Sequence, residues 1–216
     1  QGKIANFSLA LNDPFNFSQV HTGSAAVLPD GNYGRELGFM RDAIQDSNAY
    51  ASGIANAATI GKNSVSYPDT DLAHQMKNVA LMISGGMKTK VYVVTQDFFD
   101  THANQVQPGN TTLGTHAYLL KTVSDAINAF QLDLKAQGLE KRVIGVSLSE
   151  FGRQIKSNAS NGTDHGTAAP VFLFGSCVQP QILGKNPSIG SVIADQEGVP
   201  MEHDFRDVYG SILEDW

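Results

Sequence analysis

Apolar positions along the chain fall into two periods. Near the start, Phe7, Leu9 and Leu11 alternate with small residues, the spacing of a strand, and Asp13-Pro14 turns the chain after them. A second short strand is expected over residues 25–28, closed by Pro29-Asp30-Gly31. From Glu36 to about Ala58 the period lengthens, with Leu37, Met40, Ile44 and Ala51 spaced for one helix face. Residues 61–68 read as a linker. Asp69-Thr70-Asp71 then offers capping oxygens to a helix carrying Met76, Val79, Ala80, Met82 and Ile83, stopped by Gly85-Gly86. A third helix is expected from about Thr115, with Leu119, Leu120, Val123, Ala126, Ile127, Phe130 and Leu134 on its stripe and Gly138 beyond its end. Val208, Ile212 and Leu213 read as a closing helix.

Three short runs lack polar interruption: Val91, Tyr92, Val93 and Val94; Val143, Ile144, Gly145 and Val146; and Pro170, Val171, Phe172, Leu173 and Phe174. Continuous apolar runs of this length are the mark of strands covered on both faces. With a helix between the first two, they spell a βαβ unit. The fold expected is therefore α/β, a mostly parallel sheet flanked by helices, forming one domain over 1–216 or the C-terminal lobe of a larger one.

Composition changes this picture little. Hydrophobic residues make up 41% of the 216, enough for a core, while charged residues are only 17%, against roughly 25% in average soluble domains. A net charge of −6 disfavours a general nucleic-acid binder, which needs a basic face. No apolar stretch reaches the ~20 residues of a membrane-spanning helix, and this chain carries no signal-peptide pattern. The single cysteine, Cys177, excludes an internal disulfide and, beside Phe172 and Phe174, is expected to be a buried small hydrophobe.

Ligands of open α/β sheets gather at the carboxyl ends of the strands. The polar clusters near the expected strand ends supply carboxylates (Asp100, Glu150, Asp164), imidazoles (His102, His165) and one guanidinium, Arg153. Carboxylate with imidazole suits zinc, manganese or iron, whereas calcium prefers oxygen alone. Plainer roles compete. Asp100 and Asp164 also suit turns, His102 a loop hydrogen bond, and Glu150 with Arg153 a structural ion pair. His116 reads as a helix-face residue. Five segments match the glycosylation pattern, among them Asn158-Ala159-Ser160, and receive no role in this Asn- and Ser-rich chain.

Four strings occur in one order: Phe99-Asp100-Thr101-His102-Ala103-Asn104-Gln105, Ser149-Glu150-Phe151-Gly152-Arg153, Gly162-Thr163-Asp164-His165-Gly166-Thr167-Ala168-Ala169-Pro170 and Asp204-Phe205-Arg206-Asp207-Val208-Tyr209. Together they resemble the domain-of-unknown-function 1501 family over residues 77–216. Those are exported bacterial proteins placed with the alkaline phosphatase and sulfatase superfamily. The resemblance implies a fold of that superfamily lacking its N-terminal portion, an exported, periplasmic or cell-envelope location, and a divalent metal (zinc, manganese or calcium). By position Asp100, His102 and His165 resemble one ligand group, with Asp164 orienting His165 or binding metal. Glu150 would serve a second metal or act as base, and Arg153 would hold an anionic oxygen. Phe151 stands where the superfamily has a His, a departure that weighs against a two-zinc site. No Ser or Thr here resembles the nucleophile, which the resemblance assigns to a preceding companion segment. Two functions follow. One is a metal-dependent hydrolase of phosphate or sulfate esters, with a small anionic ester or glycan as substrate. The other is a non-catalytic binding or assembly protein of the cell envelope that retains the fold.

Overall fold

A computed structural model describes residues 27–215. Four α-helices dominate: α1 (Asn32–Ile60), α2 (Asp71–Ser84), α3 (Thr115–Ala136) and α4 (Phe205–Asp215). Between α3 and α4 lie a 3-10 turn (Glu140–Arg142) and four two-residue strands: β1 (Gly145–Val146), β2 (Gly152–Arg153), β3 (His165–Gly166) and β4 (Leu173–Phe174). The helix signals act as expected. The Thr70 hydroxyl accepts the Ala73 N–H at 3.4 Å, and its carbonyl accepts the His74 N–H at 2.9 Å. Gly138, at φ +67°, lets the Leu139 N–H fold back to the Leu134 carbonyl at 2.8 Å and closes α3. The expected strand at Phe7 to Leu11, the Asp13-Pro14 turn and the first residues of the second strand lie outside the described residues. Val27 and Leu28, at that second strand's end, are exposed and in no strand.

The expected mostly parallel, alkaline phosphatase/sulfatase-like sheet is not what forms. Both sheets among the described residues are antiparallel pairs: Gly145 lies opposite Phe174 and Val146 opposite Leu173, while Gly152 lies opposite Gly166 and Arg153 opposite His165. The run from Val91 to Val94 joins neither; Val91 and Val93 are 73% and 82% exposed. β-Branched residues favour extended backbone, but an interior parallel strand also needs a neighbour on each side for its N–H and C=O groups. No described segment supplies one. The next run is instead one arm of a local pairing, continued by the Ser147 N–H to the Phe172 carbonyl at 2.9 Å. Cys177 is likewise exposed, not buried: the chain leaves β4 in a turn in which the Val178 N–H bonds the Gly175 carbonyl at 3.1 Å.

The chain divides into two compact units, Gln1–Asn63 with Lys77–Tyr92, and Ser64–Met76 with Val93–Trp216. In the first, Ala51, Ile54 and Ala57 of α1 and Val79, Ala80, Met82 and Ile83 of α2 are buried. The ends of these helices pass backbone to backbone. A Cβ on Gly61 would lie 2.2 Å from the Leu81 carbonyl oxygen, and one on Gly85 2.2 Å from that of Ala57. Of the four residues expected on the α1 face only Ala51 is fully buried, and Met40 is 59% exposed.

In the second unit the buried apolar residues are Leu72, Ala73 and Met76 of α2 and Leu119, Ala126, Ala129, Phe130 and Leu134 of α3. Asp133 is buried among them with 0% exposure. Its carboxyl oxygens accept the Ser64 N–H at 2.7 Å, the Tyr67 hydroxyl at 2.9 Å and the Gln137 amide at 2.8 Å. Burial, then the hydrogen bond to Asp133, push the Tyr67 hydroxyl far above its ordinary value, so it remains a neutral donor. α4 has no buried residue. No helix among the described residues is long and apolar enough to cross a membrane.

Candidate metal centre

Three of the sequence-predicted ligands meet within the second unit. Asp100 Oδ1 lies 3.0 Å from His102 Nε2 and 3.0 Å from His165 Nε2, and the two imidazole nitrogens are 3.1 Å apart. Donors about 2.1 Å from one ion, at angles between octahedral and tetrahedral, are about 3.0–3.4 Å apart. The triangle thus has the dimensions of one face of a coordination shell.

Proton bookkeeping supports the fit. Asp164 Oδ1 sits 2.9 Å from His102 Nδ1 and 3.1 Å from the Asn158 amide nitrogen. Those two hydrogen bonds, His102 first, hold the Asp164 carboxyl below its ordinary value. An ionised Asp164 accepts, so His102 carries its proton on Nδ1 and presents the Nε2 lone pair to the triangle. There it faces a carboxylate oxygen and a second imidazole nitrogen. A cation among the three would take the His102 Nε2 lone pair, the Asp100 carboxylate and, once its proton stands on Nδ1, the His165 Nε2 lone pair, and a carboxylate on the far nitrogen is the usual companion of a metal-binding imidazole. Asp164 therefore sits behind His102, one bond from the triangle.

Local structure explains the convergence. Asn104 and Asn161 take left-handed φ values of +52° and +55°, a region Asn tolerates, and these bends let two loops pair. The Asn104 N–H bonds the Ser160 carbonyl at 3.0 Å, the Gln105 N–H bonds that of Asn161 at 2.9 Å, and the Thr163 N–H bonds that of Thr101 at 3.3 Å. Beneath them, Gln105 Oε1 accepts both the Thr101 hydroxyl at 2.9 Å and the Thr163 hydroxyl at 2.7 Å, with both threonines buried. His102 is thereby fixed beside Asp164 and His165. The second antiparallel pair then sets Arg153 across from His165.

Arg153 is occupied. One terminal nitrogen donates to the Thr163 carbonyl at 2.7 Å; the other donates to the Phe99 carbonyl at 2.8 Å and Asp100 Oδ1 at 2.5 Å. Burial alone would raise the Asp100 carboxyl, but the hydrogen bonds from His165 and Arg153 outweigh it and hold it low. Phe151 stacks on the His165 ring, with centroids 3.8 Å apart and planes 16° from parallel. Glu150 is exposed, and its carboxylate has no partner among the described residues; Arg153 pairs with Asp100 in its place. His116 packs edge-on against Phe99 at 5.8 Å. Its buried Nδ1 has no hydrogen-bond partner among the described residues, and burial, then the Arg153 charge, depress its protonation. Asn158, Gln105, Thr101 and Thr163 carry the framework without having been singled out in the sequence. Gln105 and the threonines lay inside the resembling strings, and Asn158 within a glycosylation pattern.

A family model described as "Protein of unknown function (DUF1501)" matches residues 57–213. The chain belongs to this family. The matched span holds all six candidate residues, Asp100, His102, Glu150, Arg153, Asp164 and His165, and extends through α2, where the resemblance read from motifs began only at residue 77. No curated protein matches the chain, and no solved structure matches it. Membership in DUF1501 thus brings a set of relatives and no assigned reaction.

Proposed function

We propose that this DUF1501 protein is a metal-dependent hydrolase of phosphate or sulfate esters, acting as an exported or cell-envelope protein. The observation that carries it is the triangle of Asp100 Oδ1, His102 Nε2 and His165 Nε2 with all sides at 3.0–3.1 Å. These residues would hold a divalent ion, and Asp164 would fix the His102 tautomer behind it. Zinc or manganese fits two imidazoles and one carboxylate better than calcium, whose shell is oxygen. Bound there, the ion would supply Lewis acidity toward an ester oxygen.

The protein's own groups do the rest. The side chains of Asp100, His102 and His165 are 48–51% exposed, open to a substrate from solvent. Arg153 holds Asp100 in place through its fork and two backbone carbonyls. Glu150, adjacent to Phe151, offers an unpaired carboxylate to take the proton of an attacking water as the bond to phosphorus or sulfur forms and the ester oxygen leaves. A second reading is favoured by Glu150 standing outside the triangle: a binding or assembly protein in which the ion is structural.

Hydrolysis separates the two. The protein loaded with zinc or manganese should release aryl alcohol from an aryl phosphate or aryl sulfate. Asp100→Ala/His165→Ala should reduce that rate to background, and Glu150→Gln should lower it about 100-fold or more while leaving metal binding intact. A loaded wild-type protein inactive on both esters would remove the hydrolase reading and leave the structural ion.

A further inference from the structure

Asn158 has a side chain with every hydrogen-bonding position filled. Its Oδ1 accepts the Ser160 N–H at 2.9 Å and the Gly162 N–H at 3.1 Å. Its Nδ2 donates to the His102 carbonyl at 2.9 Å and to Asp164 Oδ1 at 3.1 Å. This pattern fixes the amide orientation, since the oxygen faces two donors and the nitrogen faces two acceptors. The two halves of the amide therefore do different work. The oxygen closes the turn at 158–162, an arrangement Asn and Asp both form readily. The nitrogen grips both ends of the His102–Asp164 hydrogen bond, the backbone of one residue and the carboxylate of the other.

We propose that Asn158 is a positioning residue of the metal centre, setting the His102 imidazole through the Asp164 carboxylate; this rests on Asp100, His102 and His165 being the ligands. Asp164 Oδ1 receives two donors, His102 Nδ1 and Asn158 Nδ2. Without the second, the carboxylate is free to rotate about its χ angles, and the imidazole that leans on it loses its fixed direction. Groups one bond removed from a metal shell typically change affinity by about 10–100-fold when removed. Asn158 is two hydrogen bonds removed from the metal shell, so its effect must pass through Asp164, apart from its hold on the His102 backbone.

Asn158→Asp divides turn from grip. The new side chain keeps an acceptor for the Ser160 and Gly162 N–H groups but turns a second oxygen toward the His102 carbonyl and the Asp164 carboxylate. The added negative charge by itself would strengthen cation binding, so a loss of affinity reports the lost grip and not the charge. The experiment titrates metal-free protein with zinc against a chromophoric chelator at one neutral pH, in a cycle of wild type, Asn158→Asp, Asp164→Ala and the double variant, with metal-free Tm recorded for each. Asn158→Asp should bind zinc about tenfold or more weakly, with a metal-free Tm close to wild type. In the Asp164→Ala background the same change should cost less than about twofold, the non-additivity of residues acting through one another. Asn158→Ala, which removes turn and grip together, should lower affinity and metal-free Tm alike. Zinc affinity unchanged or raised in Asn158→Asp, or an equal loss with and without Asp164, would overturn the proposal. A wild-type protein that binds no zinc would instead overturn the ligand assignment itself.

Discussion

Replacing Asp133 with alanine should lower stability by about 2–4 kcal/mol, from about 1–3 kcal/mol for the half-buried Tyr67 hydroxyl left without an acceptor and about 1 kcal/mol for the Ser64 N–H of an exposed residue. Asp133 is wholly buried on α3 and accepts hydrogen bonds from the Ser64 backbone, the Tyr67 hydroxyl and the Gln137 amide. Ser64 and Tyr67 precede α2, in a segment without regular secondary structure. Asp133 ties this segment to α3 at two points. The alanine variant removes the acceptor and leaves the Ser64 N–H and the half-buried Tyr67 O–H in place, only partly open to water that could replace it. In a chain of this size each kcal/mol moves Tm by about 2–4 °C, so thermal melting should show a drop of about 10 °C. Asp133→Asn, which keeps one acceptor but turns an NH2 toward a donor, should fall between. Asp125→Ala, on the same helix and paired with exposed Lys121, should stay within about 0.5 kcal/mol of wild type. A melting temperature for Asp133→Ala equal to that of Asp125→Ala would contradict the role given to Asp133.

The second large effect is expected from Gly162→Ala, this time at the metal centre. A Cβ at Gly162 would stand 2.3 Å from both the carbonyl carbon and the oxygen of His102, and 2.6 Å from the Ala103 nitrogen. These are backbone atoms of the neighbouring loop, so no side chain can swing aside; the loops themselves must part. Parting them moves His102 from Asp100 and His165 and strains the hydrogen bonds between residues 101 and 163 and between 104 and 160. Metal affinity should fall by at least about tenfold, as for other disruptions of ligand placement, with about 1–3 kcal/mol of overpacking cost in stability. Gly210→Ala serves as the comparison, because a Cβ there meets nothing within 4 Å and the position lies inside α4. It should stabilise by up to about 1 kcal/mol through helix propensity and leave metal binding unchanged. Gly162→Ala binding zinc with wild-type affinity would show that the two loops do not need this close approach.

Helices were legible in the sequence because their signals are local. Thr70, Gly86 and Gly138 cap or end their helices by contacts within a turn or so, and of the expected α3 stripe Leu119, Ala126, Phe130 and Leu134 are buried, Val123 and Ile127 are half-buried and Leu120 is exposed. The sheet was misread because pairing is not local. An apolar run such as Val91 to Val94 states a preference for extended backbone and says nothing of a neighbour, and here none of the described residues pairs with it. The sheet misreading still left four of the converging residues correctly read, while Glu150 stands apart from them. Asp100, His102, Asp164 and His165 do come together, yet by antiparallel pairing and loop-to-loop hydrogen bonds in place of parallel strand ends. What the sequence concealed were the neutral residues that join the loops. Asn158 and Gln105 carry no charge and no ligand chemistry, and their importance lies wholly in which atoms face them. Arg153 shows the same limit in reverse. Its charge drew attention as an anion clamp, while in the structure both terminal nitrogens are committed to Phe99, Thr163 and Asp100.

If Asp100, His102 and His165 form one face of a metal shell, purified protein should carry the metal. Protein purified without chelator or an immobilised-metal column is analysed by plasma mass spectrometry beside the Asp100→Ala/His165→Ala variant. Near-stoichiometric zinc or manganese is expected in wild type, and its disappearance from a variant that remains folded. Metal absent from both, after incubation with either ion, would contradict it.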